Sequence, residues 1–295
     1  MPDIPYSQLK SLLIETIKPY GEDANAFNIA FSKLYSDFQT DAIHNVTIES
    51  IPGTKFNWVK SQTSNKDKVI IFFHGGGYVA GSTKNHLELI AQLISRTNVT
   101  VLSVDYRTDP LSFFPASLED AKAAYTWLLS NGHHSQQVGL AGISAGAMLV
   151  TQLIVHCHLE SLPQPKVALV LSGPRNLYIN SPSTFYNISR DWMPSEFFQT
   201  IQNYYLPKDG ETKSPLYSPI DFDYTKFPIT LFQAGDYELL VDDSMLFYER
   251  LRITKFNVYL DIVTELPHCW QLFAKSYAPG RAALQNAINF ITHFF

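Results

Sequence analysis

The sequence predicts an α/β fold with a mostly parallel central sheet covered by helices on both faces. Three observations predict it. Continuous apolar runs of strand length recur at Val69–Phe73, Val99–Val104, from Val138, and at Val167–Leu171, as expected for strands buried on both faces. Helical patterns separate these runs, and strand–helix alternation gives parallel sheets. Glycine-rich or polar turns follow several strand ends, where sites on open α/β sheets collect. The 295 residues are 45% hydrophobic and 17% charged, enough apolar side chain for one large α/β domain or two small ones.

The elements follow in order. Leu9, Leu12, Leu13 and Ile17 recur at helical spacing and Pro19 closes that segment. A second helix is expected over Ala24–Phe38, with Phe27, Ala30, Phe31 and Leu34 on one face. Two strands, His44–Ser50 and Lys55–Val59, flank the turn Ile51–Thr54, and polar residues Ser61–Lys68 read as a loop. The strand Val69–Phe73 runs directly into His74-Gly75-Gly76-Gly77. Helices are expected at His86–Arg96 and at Leu118–Leu129, the latter stopped by Asn131-Gly132. The segment Asn176–Pro219 breaks the alternation. It is rich in Pro, Ser, Asn and aromatics and is far longer than an ordinary connection, so it reads as an inserted lid with one helix, Ser195–Tyr205. Strands at Ile229–Phe232 and Val258–Val263 and helices at Asp243–Arg252 and Arg281–Phe294 complete the chain.

Composition removes several function classes. The net charge is −5 without a basic run, so nucleic-acid binding has no electrostatic basis. Two cysteines, Cys157 and Cys269, suit reduced thiols better than a disulfide framework. The first residues lack the basic and apolar regions of a signal peptide, and no run of 18 apolar residues is present, so a cytoplasmic protein without a membrane span is expected.

The chemistry centres on Gly142-Ile143-Ser144-Ala145-Gly146, a G-x-S-x-G pentapeptide between a strand and a helix. A nucleophilic serine must stand clear of the backbone on a tight turn, so residues two before and two after it must be small. The following helix points its positive end at developing negative charge. Such a serine needs oxyanion donors, a base and an acid. His74-Gly75-Gly76-Gly77 supplies the first, since consecutive glycines let backbone N–H groups converge; the expected oxyanion hole is Gly75, Gly76 and Ala145. The base is His268, in the loop Glu265-Leu266-Pro267-His268-Cys269-Trp270 after a strand. His44 and His86 read as ordinary strand and helix residues, and Cys269 as a packing residue. The acid lies between serine and histidine in the chain, and spacing alone leaves Asp236 and Glu238 open; Asp242 and Asp243 read as cap and first-turn residues of the next helix.

With these residues in hand, the chain resembles the hormone-sensitive-lipase-like family of α/β-hydrolase esterases. The resemblance rests on His74 to Ser82, on Asp105-Tyr106-Arg107 with Pro110, Phe114-Pro115-Ala116 and Asp120, on the Gly142–Gly146 elbow and on Pro267-His268. It departs from the family at Ile143, Ala147, Thr108-Asp109 and Leu111. The resemblance implies an α/β-hydrolase fold in a single domain over 1–295, capped by about 1–43 and by the insertion 176–219. It implies hydrolysis of small carboxylic esters, usually with short acyl chains, without cofactor or metal, by a monomer or homodimer. The family's acid-x-L-x-D motif matches Glu238-Leu239-Leu240-Val241-Asp242 and places the acid at Glu238. An amidase, a lactonase, a carbohydrate deacetylase and a non-catalytic ligand-binding protein are the alternatives on the same scaffold. Tyr186, Trp192, Phe197, Phe198, Tyr204 and Tyr205 either wall an acyl pocket or pack the lid onto the core.

Overall fold

The computed structural model describes residues 4–17, 29, 32–33, 41–108, 112–206, 214–254 and 256–295. Eight strands in these residues form one sheet: β1 Thr47–Ser50, β2 Phe56–Lys60, β3 Asn65–Phe73, β4 Val99–Val104, β5 Val138–Ile143, β6 Val167–Leu171, β7 Ile229–Gly235 and β8 Val258–Val263. The spatial order is β1-β2-β4-β3-β5-β6-β7-β8. The pairs β1–β2 and β2–β4 are antiparallel and every other pair is parallel. The central runs Val69–Phe73, Val138–Ile143 and Val167–Leu171 are fully buried. Helices cover both faces because the strands offer no polar side to water.

The order places the site. From β3 the chain steps one way to β4 and then returns to the other side of β3 as β5. That reversal opens a crevice at the carboxyl ends of β3 and β5. Phe73 and Gly142 face each other in register, so the chain leaves β3 at His74 beside the place where it leaves β5 at Ser144. The helix after Ser144, Ala145–Leu159, is apolar nearly all round, with twelve of its fifteen residues buried beneath the sheet. Its glycines permit the approach: a Cβ on Gly146 would run into the Phe73 carbonyl, and one on Gly142 into the Gly146 carbonyl.

Several boundaries moved. The first strand begins at Thr47, because Asp41–Asn45 closes into a 3-10 turn. The expected loop Ser61–Lys68 is in part strand: β3 starts at Asn65, which pairs with Val99 before a register irregularity leads into Val69. Those added residues are polar and exposed, so only the β4 backbone marks them as strand. β7 extends to Gly235 and the helix after it covers Val241–Ile253, which puts Asp242 and Asp243 in its first turn. The last helix starts at Ala278, after a 3-10 segment at Trp270–Ser276. The helix expected over 24–38 falls mostly outside the described residues, as does Pro110. The helix Tyr6–Ile17 and, in the insertion, Ser183–Tyr186 and Ser195–Tyr205 are present. No helix among the described residues is long and apolar enough to cross a membrane.

Candidate active site

Ser144 sits at the tip of the turn with φ +54° and ψ −120°, a conformation that costs a non-glycine residue about 1–3 kcal/mol. Neighbouring backbone holds it there. Its N–H donates to the Leu171 carbonyl on β6 at 2.9 Å, and its own carbonyl accepts Ala147 N–H at 3.0 Å. The Oγ of Ser144 lies 2.9 Å from Nε2 of His268. On the far side of that ring, Nδ1 lies 3.2 Å from Oε2 of Glu238. A carboxylate at Nδ1 fixes the proton there and leaves the Nε2 lone pair to accept the serine hydroxyl.

Glu238 and His268 are both fully enclosed. Oε1 of Glu238 accepts Ser172 Oγ–H and Gly235 N–H, each at 2.7 Å. Burial pushes the Glu238 carboxyl above its ordinary range, and His268 and the Gly235 N–H pull the other way. Burial also opposes charge on His268, yet the ring is held well above its usual value by Cys269 and Glu238 together. The Cys269 thiol is itself kept protonated by burial, so near neutrality the charge that favours imidazolium belongs to Glu238. Asp236 does something else. Its Oδ1 accepts the N–H of Glu265 at 2.6 Å and so ties down the start of the histidine loop. Asp242 accepts Ser183 N–H and Tyr186 Oη–H from the insertion, and Asp243 accepts Arg175 N–H.

The loop after β3 is built on two buried histidines. His86 Nδ1–H donates to the Ser82 carbonyl at 3.1 Å, which leaves Nε2 to accept the Gly75 N–H at 3.0 Å. His74 Nδ1–H donates to the Gly75 carbonyl at 2.8 Å, and its ring stacks on Tyr106 with centroids 4.0 Å apart. Tyr106 Oη–H donates to the His74 carbonyl at 2.7 Å. The His86 ring must be neutral for this pattern, because its Nε2 accepts a hydrogen bond. Burial lowers His74 to about 4, and burial with the neighbouring His74 lowers His86 to about 3.

The Gly75 N–H is thus already engaged, a use the sequence expectation did not include. Gly76 and Gly77 follow it with φ of +121° and +62°, the left-handed region open to glycine. Ala145 stands at the first position of its helix, where an N–H has no intrahelical acceptor. Asp105, in the same signature as Tyr106, accepts Thr83 N–H and Asn57 Nδ2–H, and Arg107 pairs with Asp120 at 3.0 Å. Asp105 and Tyr106 of the shared signature therefore brace the loop from the end of β4, while Arg107 and Asp120 tie that same end to the helix Ala116–Ser130.

The insertion roofs this arrangement. A Cβ on Gly77 would lie 2.6 Å from Ile201 Cδ1 and 3.1 Å from Phe197 Cζ, so the helix Ser195–Tyr205 packs on the glycine loop. Tyr205 stacks on Tyr78 with centroids 3.8 Å apart. Trp192, Phe197, Phe198 and Tyr205 are buried, whereas Tyr186 is largely exposed; the Tyr204 side chain lies outside what is described. Three residues of the site region carry no site expectation from the sequence: His86, Ser172 and Asp191; Trp192 is expected only as a pocket wall or lid-packing residue, not as a partner of the His268 backbone. The spacing from the glycine loop to His86 carries a signal only with the fold known. Ser172 shows itself by a φ of +51° at the end of β6. Asp191 lies in a segment without periodicity and gives no local signal. Both cysteines are free and buried. Among the described residues no group of His, Cys, Asp and Glu is placed to hold a metal.

Residues 70–272 match the family described as alpha/beta hydrolase fold, a stretch that runs from within β3 through the serine elbow and the acid to the histidine. The chain belongs to that family. It is 27% identical over 291 residues to an esterase of Acinetobacter venetianus, covering 97% of this chain and 96% of the relative. It is 30% identical over 236 residues to an acetyl-hydrolase of Streptomyces hygroscopicus, covering 79% and 78%. The crystal structure of an esterase from the bacterial hormone-sensitive lipase family superposes with a TM-score of 0.91 at 26% identity, over 100% of this chain and 99% of the other. The hormone-sensitive-lipase-like resemblance and the α/β-hydrolase fold read from the sequence both stand.

Proposed function

We propose that this chain is a serine carboxylesterase acting on small, short-chain carboxylic esters through an acyl-enzyme. The observation that carries the reading is the relay from Ser144 Oγ through His268 to Glu238, at 2.9 and 3.2 Å. Ser144 attacks the ester carbonyl as His268 Nε2 takes its proton. Glu238 keeps the ring in the required tautomer and stabilises the imidazolium. The tetrahedral oxyanion is received by the N–H groups of Ala145, Gly76 and Gly77, the last in place of Gly75, whose N–H stays with His86. His268 then protonates the leaving alcohol, and water activated by the same ring frees the acid.

The short-chain reading is supported by the acetyl-hydrolase among the relatives, and Phe197 and Ile201, packed against Gly77, are the side chains that would limit acyl length. The names of the relatives, esterase and acetyl-hydrolase, favour esters over the amide, lactone and deacetylase alternatives. The presence of all three relay groups favours catalysis over ligand binding alone. We read 1–295 as one domain, with the segments around 1–43 and 176–219 forming its cap.

A p-nitrophenyl ester series from acetate to dodecanoate tests this, with Ser144→Ala as the blank. The expected result is highest kcat/KM on acetate or butyrate, a steep fall beyond about eight carbons, and loss of roughly 10³-fold or more in the alanine variant. Full activity in Ser144→Ala sinks the nucleophile assignment; a flat chain-length profile sinks the short-chain reading.

A further inference from the structure

His268 lies in a loop that its own backbone does not hold straight: Glu265 and Cys269 on either side have φ of +58° and +56°. Two residues of the insertion grip it instead. Oδ1 of Asp191 accepts the His268 N–H at 3.1 Å, and Nε1–H of Trp192 donates to the His268 carbonyl at 2.8 Å. These partners are 77 and 76 positions away in sequence. Asp191 reaches further. Its Oδ2 accepts the N–H of Leu239 at 2.8 Å, the residue directly after Glu238. One carboxylate thus ties the histidine loop to the acid loop. Asn187, four residues earlier, adds Nδ2–H bonds to the carbonyls of Asp236 and Glu238 at 2.8 and 2.9 Å.

Asp191 is 2% exposed and Trp192 3%, so neither grip is shared with solvent. Burial raises the Asp191 carboxyl, while His268 and the backbone N–H bonds act to keep it ionised. The segment is held from outside as well. Tyr6 Oη–H donates to the Arg190 carbonyl and Lys10 Nζ to the Ser189 carbonyl, each at 2.6 Å, from the helix Tyr6–Ile17.

We propose that Asp191 and Trp192 are positioning residues for the reaction: the clamp they form between the insertion and the loops of His268 and Glu238 sets the aim of Nε2 at Ser144. The proposal rests on the reading of Ser144, His268 and Glu238 as the catalytic groups. Neither clamp residue touches the reacting atoms. Their effect is on geometry, and a displacement of about 1 Å at a reacting pair is worth roughly 100-fold in rate. The cap is then part of the machinery that places the base, in addition to shaping the pocket.

The experiment measures kcat and KM on p-nitrophenyl acetate, with the active enzyme concentration fixed by paraoxon titration, for the full chain carrying Asp191→Ala, Asp191→Asn and Trp192→Phe. The expected result for Asp191→Ala is a kcat lowered about 100-fold with KM within about 3-fold, and a paraoxon inactivation rate lowered in parallel. Asp191→Asn keeps one carbonyl oxygen to accept the His268 N–H and is expected to recover part of the loss. Trp192→Phe keeps most of the ring bulk without the donor and is expected to lose about 10-fold in kcat. If Asp191→Ala does not fold, Asp191→Asn and Trp192→Phe carry the same readout. Variants that melt earlier but keep wild-type kcat per titrated site overturn the clamp and leave Asp191 a fold-stabilising residue. Activity retained in Ser144→Ala overturns the underlying reading instead, so the two failures are distinguishable.

Discussion

The two sides of the site are anchored in different ways. On the side of the glycine loop, the hydrogen-bonding anchors come from the chain between β3 and the residues just after β4. His86 lies 11 residues from Gly75, and Tyr106 lies 32 from His74. Their rings are buried and neutral, and His86 takes one of the loop's amides, that of Gly75. On the other side, the anchors of Glu238 and His268 come from far away: Ser172 is 66 residues from Glu238, and Asp191 is 77 from His268. The hydrogen bonds that brace the donor loop thus stay within one compact β-α-β unit, while the base and acid are held in part by groups from distant segments, among them Ser172 at the end of β6 and Asp191 of the insertion. A defect on the first side should disturb oxyanion binding and local packing. A defect on the second should misplace proton transfer.

The largest effect that separates the two sides is expected at the acid. Glu238→Gln keeps an oxygen for Ser172 and Gly235 but turns an N–H donor toward His268 Nδ1, which forces the wrong tautomer. A kcat loss of roughly 10²–10⁴-fold is expected. Asp236→Asn keeps an oxygen for the Glu265 N–H and should stay within about 3-fold. Equal losses in the two variants, read by esterase kinetics, would erase the distinction between the carboxylates.

A middle-sized effect is expected on the donor side. His86→Phe fills the same space but leaves the buried Gly75 N–H without its acceptor, at about 1–3 kcal/mol of stability. As the loop loosens, kcat should fall about 10- to 100-fold, since oxyanion donors act through placement. Urea unfolding and steady-state rates measure both. A destabilised variant with unchanged kcat would show that the oxyanion loop holds its shape without His86.

The smallest effect is a pH dependence. His86 is lowered to about 3 in the folded chain, against an ordinary value near 6.5 for the unfolded one. Below about pH 6.5 the unfolded state therefore binds more protons than the native state. The stability owed to neutral His86 is complete above that pH and is lost as pH falls toward about 3. The gap between wild type and His86→Phe should narrow on acidification, by at most about 1.4 kcal/mol per pH unit. Comparison of the two chains removes the opposing carboxylates, such as Asp243, which burial raises to about 6. A gap that is constant from pH 7 to pH 4.5 would mean that His86 titrates alike in both states.

Much of the fold was legible because buried parallel strands are continuous apolar runs, and the runs at Val69, Val99, Val138 and Val167 have that form. Where strand residues face solvent the signal failed. Asn65–Lys68 is polar and exposed, and it joins β3 through backbone bonding to β4. Residues of the site were legible wherever chemistry requires a local spacing, as at Gly142, Ser144 and Gly146. Asp236 and Glu238 are two residues apart at the end of one strand, and spacing could not separate them. The family motif pointed to Glu238, and its Oε2 is the carboxylate atom placed at His268 Nδ1. The Gly75 N–H differs from its expected role as an oxyanion donor for a related reason: it is bonded to His86 Nε2. Nothing in a glycine run shows that a buried ring 11 residues on will take one of its donors.

By itself the sequence determined the sheet's buried strands, the serine on its turn, the glycine loop before it and the histidine loop after it, because each depends on side chains within a few residues of one another. Only the tertiary structure decided which amide is already bonded and that Asp191 and Trp192 grip His268. Those outcomes join atoms from chain segments tens of residues apart, and local periodicity holds no record of which distant group will fill a given hydrogen bond once the insertion packs down.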